Sequence, residues 1–314
     1  MWCASELGVA DMAVLRISAG DCAAGRAEPA IRAALDRIAP EAPVAVLVHG
    51  LRLPGANWRP CPERHVFAPL DRFGAQPRWP GRLGLEGDAG LAVSFEWPAR
   101  GGLRAVFRRT GAAAAALAHL TMVLRRAAPC ARLTLIGHSM GAEVVLGALG
   151  ALPLPVADAA VLLAAAACRE RAHRAAASVG GRGCAILNVT SAENRPFDRL
   201  LNAWLRGLVD ATPAEGLGAA RANWTDLSLD DPGTRAALAA LGHPMRPTDG
   251  RVCHLSTYTR PGALELYGAL IHGRPTPERL ASLLPAGRRA PAPASRLPPE
   301  HKVADAAGAR VTIP

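Results

Sequence analysis

Two hydrophobic periods take turns along this chain. Short apolar runs come first in each pairing: "VAVLVHG" (Val44 to Gly50), "LAVSFEWP" (Leu91 to Pro98), "RLTLIG" (Arg132 to Gly137), "AAVLLAAAA" (Ala159 to Ala167) and "CAILNVTS" (Cys184 to Ser191). They are nearly continuous rather than alternating, as strands buried on both faces require. "DMAVLRIS" (Asp11 to Ser18) reads as a first strand, and "WTDLSLDDP" (Trp224 to Pro232) alternates like a half-exposed one. Between the runs, apolar residues recur at helical spacing. The segments are Glu28 to Ala39, Gly102 to Ala127 with a candidate kink at Gly111, Met140 to Leu152, Cys168 to Val179 and Arg195 to Val209. Gly233 to Gly242 and Gly262 to Gly273 complete the series. Strand and helix alternate almost throughout, which predicts an α/β protein: a mostly parallel, doubly wound sheet with helices on both faces.

Two stretches break the rhythm. Leu51 to about Gly90 is rich in Pro, Gly, Arg and Trp, and an irregular segment of that length usually has a function. From Pro285 the chain turns Pro-, Ala- and Arg-rich, the composition of a flexible tail. No repeat is visible. The expected organisation is one domain over residues 1–284, with an irregular insertion at 51–90, and a tail at 285–314.

Composition narrows the function classes. Of 314 residues, 50% are hydrophobic, enough for a large core, yet the richest run, Val161 to Cys168, is far too short to cross a bilayer. The N-terminal "MWCASELGVADMAVL" lacks the basic start and apolar run of a secretory signal, so a cytoplasmic location without an integral membrane segment is expected. The net charge of +10 comes from arginine, Lys302 being the only lysine, and the arginines are scattered without interleaved aromatic residues. No nucleic-acid partner is expected from that pattern. Seven cysteines form no C-x-x-C pair, which suggests reduced thiols. Cys61 and His65 are spaced like two zinc ligands but lack a second pair, so no metal is expected.

The chemistry concentrates in "GHSMG" (Gly137 to Gly141), which fits G-x-S-x-G between an apolar strand and a helix. A serine on such a sharp turn projects its hydroxyl above the sheet, and side chains at the two flanking glycine positions would collide with the neighbouring strand and helix. Ser139 is the candidate nucleophile, and the Met140 N–H is aimed to stabilise an oxyanion at the positive end of the helix.

With "VAVLVHG", "VSFEWP", "LTLIGHSMGAEVV" and "HLSTYTRPGALELY", the stretch from about Asp11 to His272 resembles the α/β-hydrolase superfamily, and within it the bacterial esterase/lipase-like group. The resemblance implies a nucleophile–acid–histidine order. The histidine then follows Ser139, and His254, in a loop after a late strand, is the candidate; His173, His243 and His272 read as surface or helix-end residues. The resemblance places the acid in "AENRPFDRLL", after the strand "AILNVTS". Asp198 is preferred and Glu193 is the alternative, because Asn194 and Arg195 occupy the nearest positions where relatives carry aspartate. Asp226, Asp230 and Asp231 are more remote. Leu51, just after "VHG", supplies the second oxyanion N–H by the same resemblance, and His49 is read as shaping that loop. Trp58 and Trp97, with Trp79, are candidates for an acyl-binding wall or for a cover over the sheet edge.

The implied function is a serine hydrolase that cleaves a small-molecule carboxylic ester through an acyl-serine, with no cofactor or metal. Thioesterase, amidase and acyltransferase chemistry would use the same triad. A hydrolase fold used only for binding is the alternative from a different class, and oligomeric state is not legible.

Overall fold

Hydrophobic side chains on alternate positions of the same strand feed two separate cores. In the computed structural model, which describes residues 14–51, 79–204, 211–218, 221–248 and 250–284, every residue of the second strand is buried. Val44, Val46 and Val48 join one hydrophobic cluster, while Ala45 and Leu47 join the other on the opposite face. That is why these runs read as continuous: both faces need apolar residues. Most of the 51–90 insertion, Trp58 included, and the tail from residue 285 lie outside the described residues.

Seven strands form one sheet: β1 (Val14–Ser18), β2 (Val44–Val48), β3 (Leu91–Glu96), β4 (Leu133–His138), β5 (Ala159–Leu163), β6 (Ala185–Thr190) and β7 (Trp224–Ser228). Their order is β1-β3-β2-β4-β5-β6-β7, and every neighbouring pair is parallel. The helices are α1 (Ala19–Ala23), α2 (Ala27–Leu35), α3 (Trp79–Arg82), α4 (Leu103–Ala127), α5 (Met140–Ala151), α6 (Arg169–Ala177), α7 (Val179–Arg182), α8 (Arg195–Trp204), α9 (Pro232–Ala240), α10 (Ser256–Thr259), α11 (Ala263–Ile271) and α12 (Pro277–Leu283). Helices α2, α4, α5 and α6 pack on one face, and α3, α9, α11 and α12 on the other.

Small residues line the contact between α4 and α5. A Cβ on Gly147 of α5 would lie 2.7 Å from the Ala114 Cβ of α4, so the glycine lets the two helices approach. Several helix starts carry side-chain caps. Ser18 and Asp21 form a capping box at α1, Asp231 accepts from the Thr234 N–H at α9, and Thr276 accepts from the Arg279 N–H at α12.

Three details depart from the sequence reading. The run Ala159 to Ala167 is strand only to Leu163, because Ala164 takes φ +46° and turns the chain out of the sheet. The Ala166 N–H then donates to the Ser139 carbonyl at 3.1 Å, so this segment wraps the serine turn instead of extending the strand. Gly111 sits on an exposed side of α4, an unbroken helix of 25 residues, where a Cβ would meet nothing within 4 Å. The last part of the insertion is core and not irregular cover. Trp79, Leu83 and Leu85 are fully buried under β2 and β3, with Trp79 packed on Tyr258 at 5.0 Å between rings.

Candidate active site

Ser139 follows β4 and caps α5 with φ 56° and ψ −125°, a region that non-glycine residues rarely enter. The turn is held in place from several sides. The Ser139 N–H donates to the Leu163 carbonyl at 2.9 Å, and its own carbonyl accepts from Ala142 and Ala166 at 3.0 and 3.1 Å. The glycines of the motif have separate reasons. A Cβ on Gly137 would lie 2.7 Å from the Ala142 nitrogen, and one on Gly141 would press into the Val48 carbonyl oxygen. Gly50 is a third such position that the motif does not include: its Cβ would meet the Ser139 Cβ at 2.7 Å. The backbone carrying Leu51 therefore passes directly against the serine, while Met140 opens α5 on its other side.

His254 stands beside this turn. Its backbone carbonyl accepts from His138 Nε2 at 3.2 Å, and the two imidazoles lie 4.7 Å apart. Phe197 of α8 covers another side of the His254 ring at 4.8 Å. Burial lowers the His254 pKa to about 4. His138, the residue before the nucleophile, is fully enclosed and held at about 3 by burial and by the neighbouring imidazoles of His254 and His49. Both rings are therefore neutral at ordinary pH.

The acid position departs from expectation. The group that meets His254 Nδ1 is not a carboxylate but the Asn194 side-chain oxygen, at 2.6 Å. Asn194 in turn donates from Nδ2 to Asp198 Oδ1 at 3.0 Å. Asp198, the preferred acid from sequence, thus reaches the imidazole only through an amide. The cause is local geometry: residues 192–194 form a single 3-10 turn that presents position 194, and position 198 lies one helical turn farther along α8. Burial raises the Asp198 pKa to about 7, against the hydrogen bond from Asn194.

Glu193, the alternative acid, faces a different cluster. Its carboxylate accepts from Thr248 Oγ1 at 2.5 Å and pairs with Arg260 Nη2 at 3.3 Å. Burial pushes its pKa up, but the Thr248 and Ser256 hydroxyls and the Arg260 guanidinium outweigh it and leave the net shift downward. Arg260 is itself buried. It also donates to the Leu229 carbonyl at 2.9 Å and to Ser191 Oγ at 3.1 Å, and it pairs with Asp230 at 2.9 Å. This one guanidinium joins the turn before Asn194, the segment after β7 and the helix that follows His254. Sequence reasoning missed Arg260, whose surroundings in "STYTRPG" carry no signal, and set Asn194 aside because it cannot ionise.

The remaining candidates have structural partners. Asp226 accepts from Asn188 and Trp224, and Asp231 caps α9. His272 closes α11 and its ring lies 3.0 Å from the Gly84 carbonyl, while the His243 N–H ends α9 on the Leu238 carbonyl. His173 lies on α6, away from these contacts. Trp97 is buried in the larger core. Its indole N–H donates to the His49 carbonyl at 2.9 Å, and its ring stacks on the His49 ring at 5.8 Å. His49 Nε2 accepts from the Trp97 backbone and Nδ1 donates to the Gly50 carbonyl, so this pair fixes the loop against Ser139. Trp97 thus braces the loop rather than standing open as a pocket wall.

A seven-stranded parallel sheet covered by helices on both faces, with a serine on a strained strand-to-helix turn, is the α/β-hydrolase fold. The family comparison agrees. Residues 84–160, roughly a quarter of the chain, match the family described as "Alpha/beta hydrolase of unknown function (DUF900)". The matched stretch runs from before β3 into β5 and contains the whole serine turn. No curated protein matches the chain. Among the described residues, no helix is long and apolar enough to cross a membrane, and no group of three or more His, Cys, Asp or Glu side chains could hold a metal ion.

Proposed function

We propose that this protein is a serine hydrolase that cleaves a carboxylic ester by way of an acyl-serine. The observation that carries the reading is Ser139 itself, held at φ 56° in a turn where Gly50, Gly137 and Gly141 all lack room for a Cβ. Such strain persists where surrounding structure enforces it, and it clusters at functional sites. In the proposed reaction His254 Nε2 takes the hydroxyl proton as Ser139 Oγ attacks the carbonyl carbon. The Met140 and Leu51 N–H groups stabilise the oxyanion. The protonated imidazole then gives its proton to the leaving alkoxide, and a water activated by His254 hydrolyses the acyl-serine. Nδ1 is engaged by Asn194, so Nε2 is the ring nitrogen left to exchange protons.

The test is hydrolysis of p-nitrophenyl esters of graded chain length by wild type, Ser139→Ala and His254→Ala. Activity that disappears in both variants supports the proposal. The amide in the acid position favours a second reading, in which the hydrolase scaffold only binds a ligand. Wild type without turnover on any ester, thioester or amide would select it.

A further inference from the structure

A triad normally orients its imidazole with a carboxylate, which accepts the Nδ1 proton and stabilises the imidazolium that forms. Here the partners define a different chain of donors and acceptors. Asn194 Nδ2 donates to Asp198 Oδ1 at 3.0 Å, an oxygen that accepts whether or not the other oxygen of the carboxyl carries a proton. That fixes the amide so that its oxygen faces His254, at 2.6 Å. An oxygen without a proton at that distance requires N–H on Nδ1, which leaves Nε2 bare on the ring's other side. Asn194 and Asp198 are both buried, so neither can trade this arrangement for water. On the backbone side, His138 Nε2 donates to the His254 carbonyl and fixes the main chain beneath the ring.

We infer that Asn194 is the positioning residue for His254, a neutral amide standing where a triad has its carboxylate, with Asp198 locking the amide's orientation from behind. The inference rests on the reading of Ser139 and His254 as the reacting pair, and it deepens that reading by assigning how the base is held. An amide can fix the tautomer as well as a carboxylate does, but it adds no charge to stabilise the imidazolium. His254 therefore stays a weak base, in keeping with its low pKa of about 4. The other titratable groups around the ring do not supply the missing charge. His138 on β4 is neutral, Glu193 is turned toward Arg260, and Tyr258 on α10 is held protonated by burial.

The isosteric exchange Asn194→Asp/Asp198→Asn tests this without changing shape. It puts the carboxylate beside the ring and the amide behind it. Histidine ring ¹⁵N NMR reads the result whether or not an ester is turned over. Wild type should show His254 protonated on Nδ1 through the neutral range, with a titration midpoint well below that of free histidine. The double exchange should raise that midpoint by about one to three pH units, and with it the acidic limb of the kcat/KM profile. Asn194→Ala should release the tautomer and lower kcat on the order of 10²- to 10⁴-fold, with little change in KM. A midpoint unmoved by the exchange, or a wild-type tautomer in Asn194→Ala, would overturn the inference. Failure of the hydrolase reading is a separate result: wild type would then hydrolyse nothing, while the NMR arms would still decide the role of Asn194.

Discussion

Replacing Arg260 with Met is the perturbation whose cost can be worked most directly from the structure. The guanidinium side chain is 4% exposed and faces two carboxylates, Glu193 and Asp230, whose side chains are 8% and 15% exposed. Methionine fills much of the volume but leaves both acids without their countercharge, and it orphans the Leu229 carbonyl and the Ser191 hydroxyl. Removing one partner of a buried ion pair costs about 3–5 kcal/mol, because the stranded charge keeps its desolvation penalty. Asp230 also accepts from the Ala192 N–H, and Thr248 from the loop beyond α9 holds Glu193, so the loss should stay local to the turn that carries Asn194. Urea unfolding followed by tryptophan fluorescence should show Arg260→Met less stable by about 3–5 kcal/mol at pH 8. The sign of the pH dependence follows from the stranded acids. Their folded pKa values rise above the unfolded ones, so the deficit is full at high pH and shrinks toward pH 4 as both take up protons. The triple variant Arg260→Met/Glu193→Gln/Asp230→Asn should recover most of the loss. A single variant within about 1 kcal/mol of wild type at pH 8, or a triple variant no better than the single, would refute the reasoning.

Three further outcomes are expected. Ser139→Gly should relieve the φ 56°, ψ −125° strain and raise stability by about 1 kcal/mol, net of the entropy that glycine adds to the unfolded chain, while ester hydrolysis is lost; thermal unfolding checks it. Gly141→Ala should cost about 3 kcal/mol or more, since its Cβ would press into the Val48 carbonyl and neither backbone can yield cheaply; urea unfolding measures this. Asp198→Asn should be more stable than wild type by roughly 2–4 kcal/mol at pH 8, because burial raises the Asp198 pKa from 3.8 to about 7. A raised acid contributes its full share below the unfolded pKa and loses it as pH rises through 7, so this advantage should vanish near pH 4, which a pH series of unfolding midpoints would show.

The elements that hydrophobic periodicity specifies strongly were legible. The runs at Val44, Leu91 and Leu133 are strands within a residue or two of the reading, because a doubly covered strand leaves no freedom for polar positions. Where the pattern failed, a tertiary contact had overridden it. Ala164 to Ala167 continue an apolar run, but the Ser139 carbonyl needs the Ala166 N–H and bends the chain away. The serine turn was readable because its glycines lie in one contiguous motif. Gly50 serves the same turn from 89 residues away and leaves no local trace. The acid position was the hardest. Sequence chemistry looks for a carboxylate, whereas the 3-10 turn presents Asn194 and sends Glu193 toward an arginine that is remote in sequence. Which of three adjacent polar residues faces the imidazole is decided by backbone geometry, not by residue type.

The most direct test of the central claim is covalent. The folded protein would be treated with a small fluorophosphonate and mapped by mass spectrometry, beside Ser139→Ala and His254→Ala. A single adduct on Ser139, slowed strongly in His254→Ala and absent in Ser139→Ala, is the result predicted for a serine activated by that histidine. No adduct on Ser139 in correctly folded wild type would contradict it and leave the strained turn as scaffold.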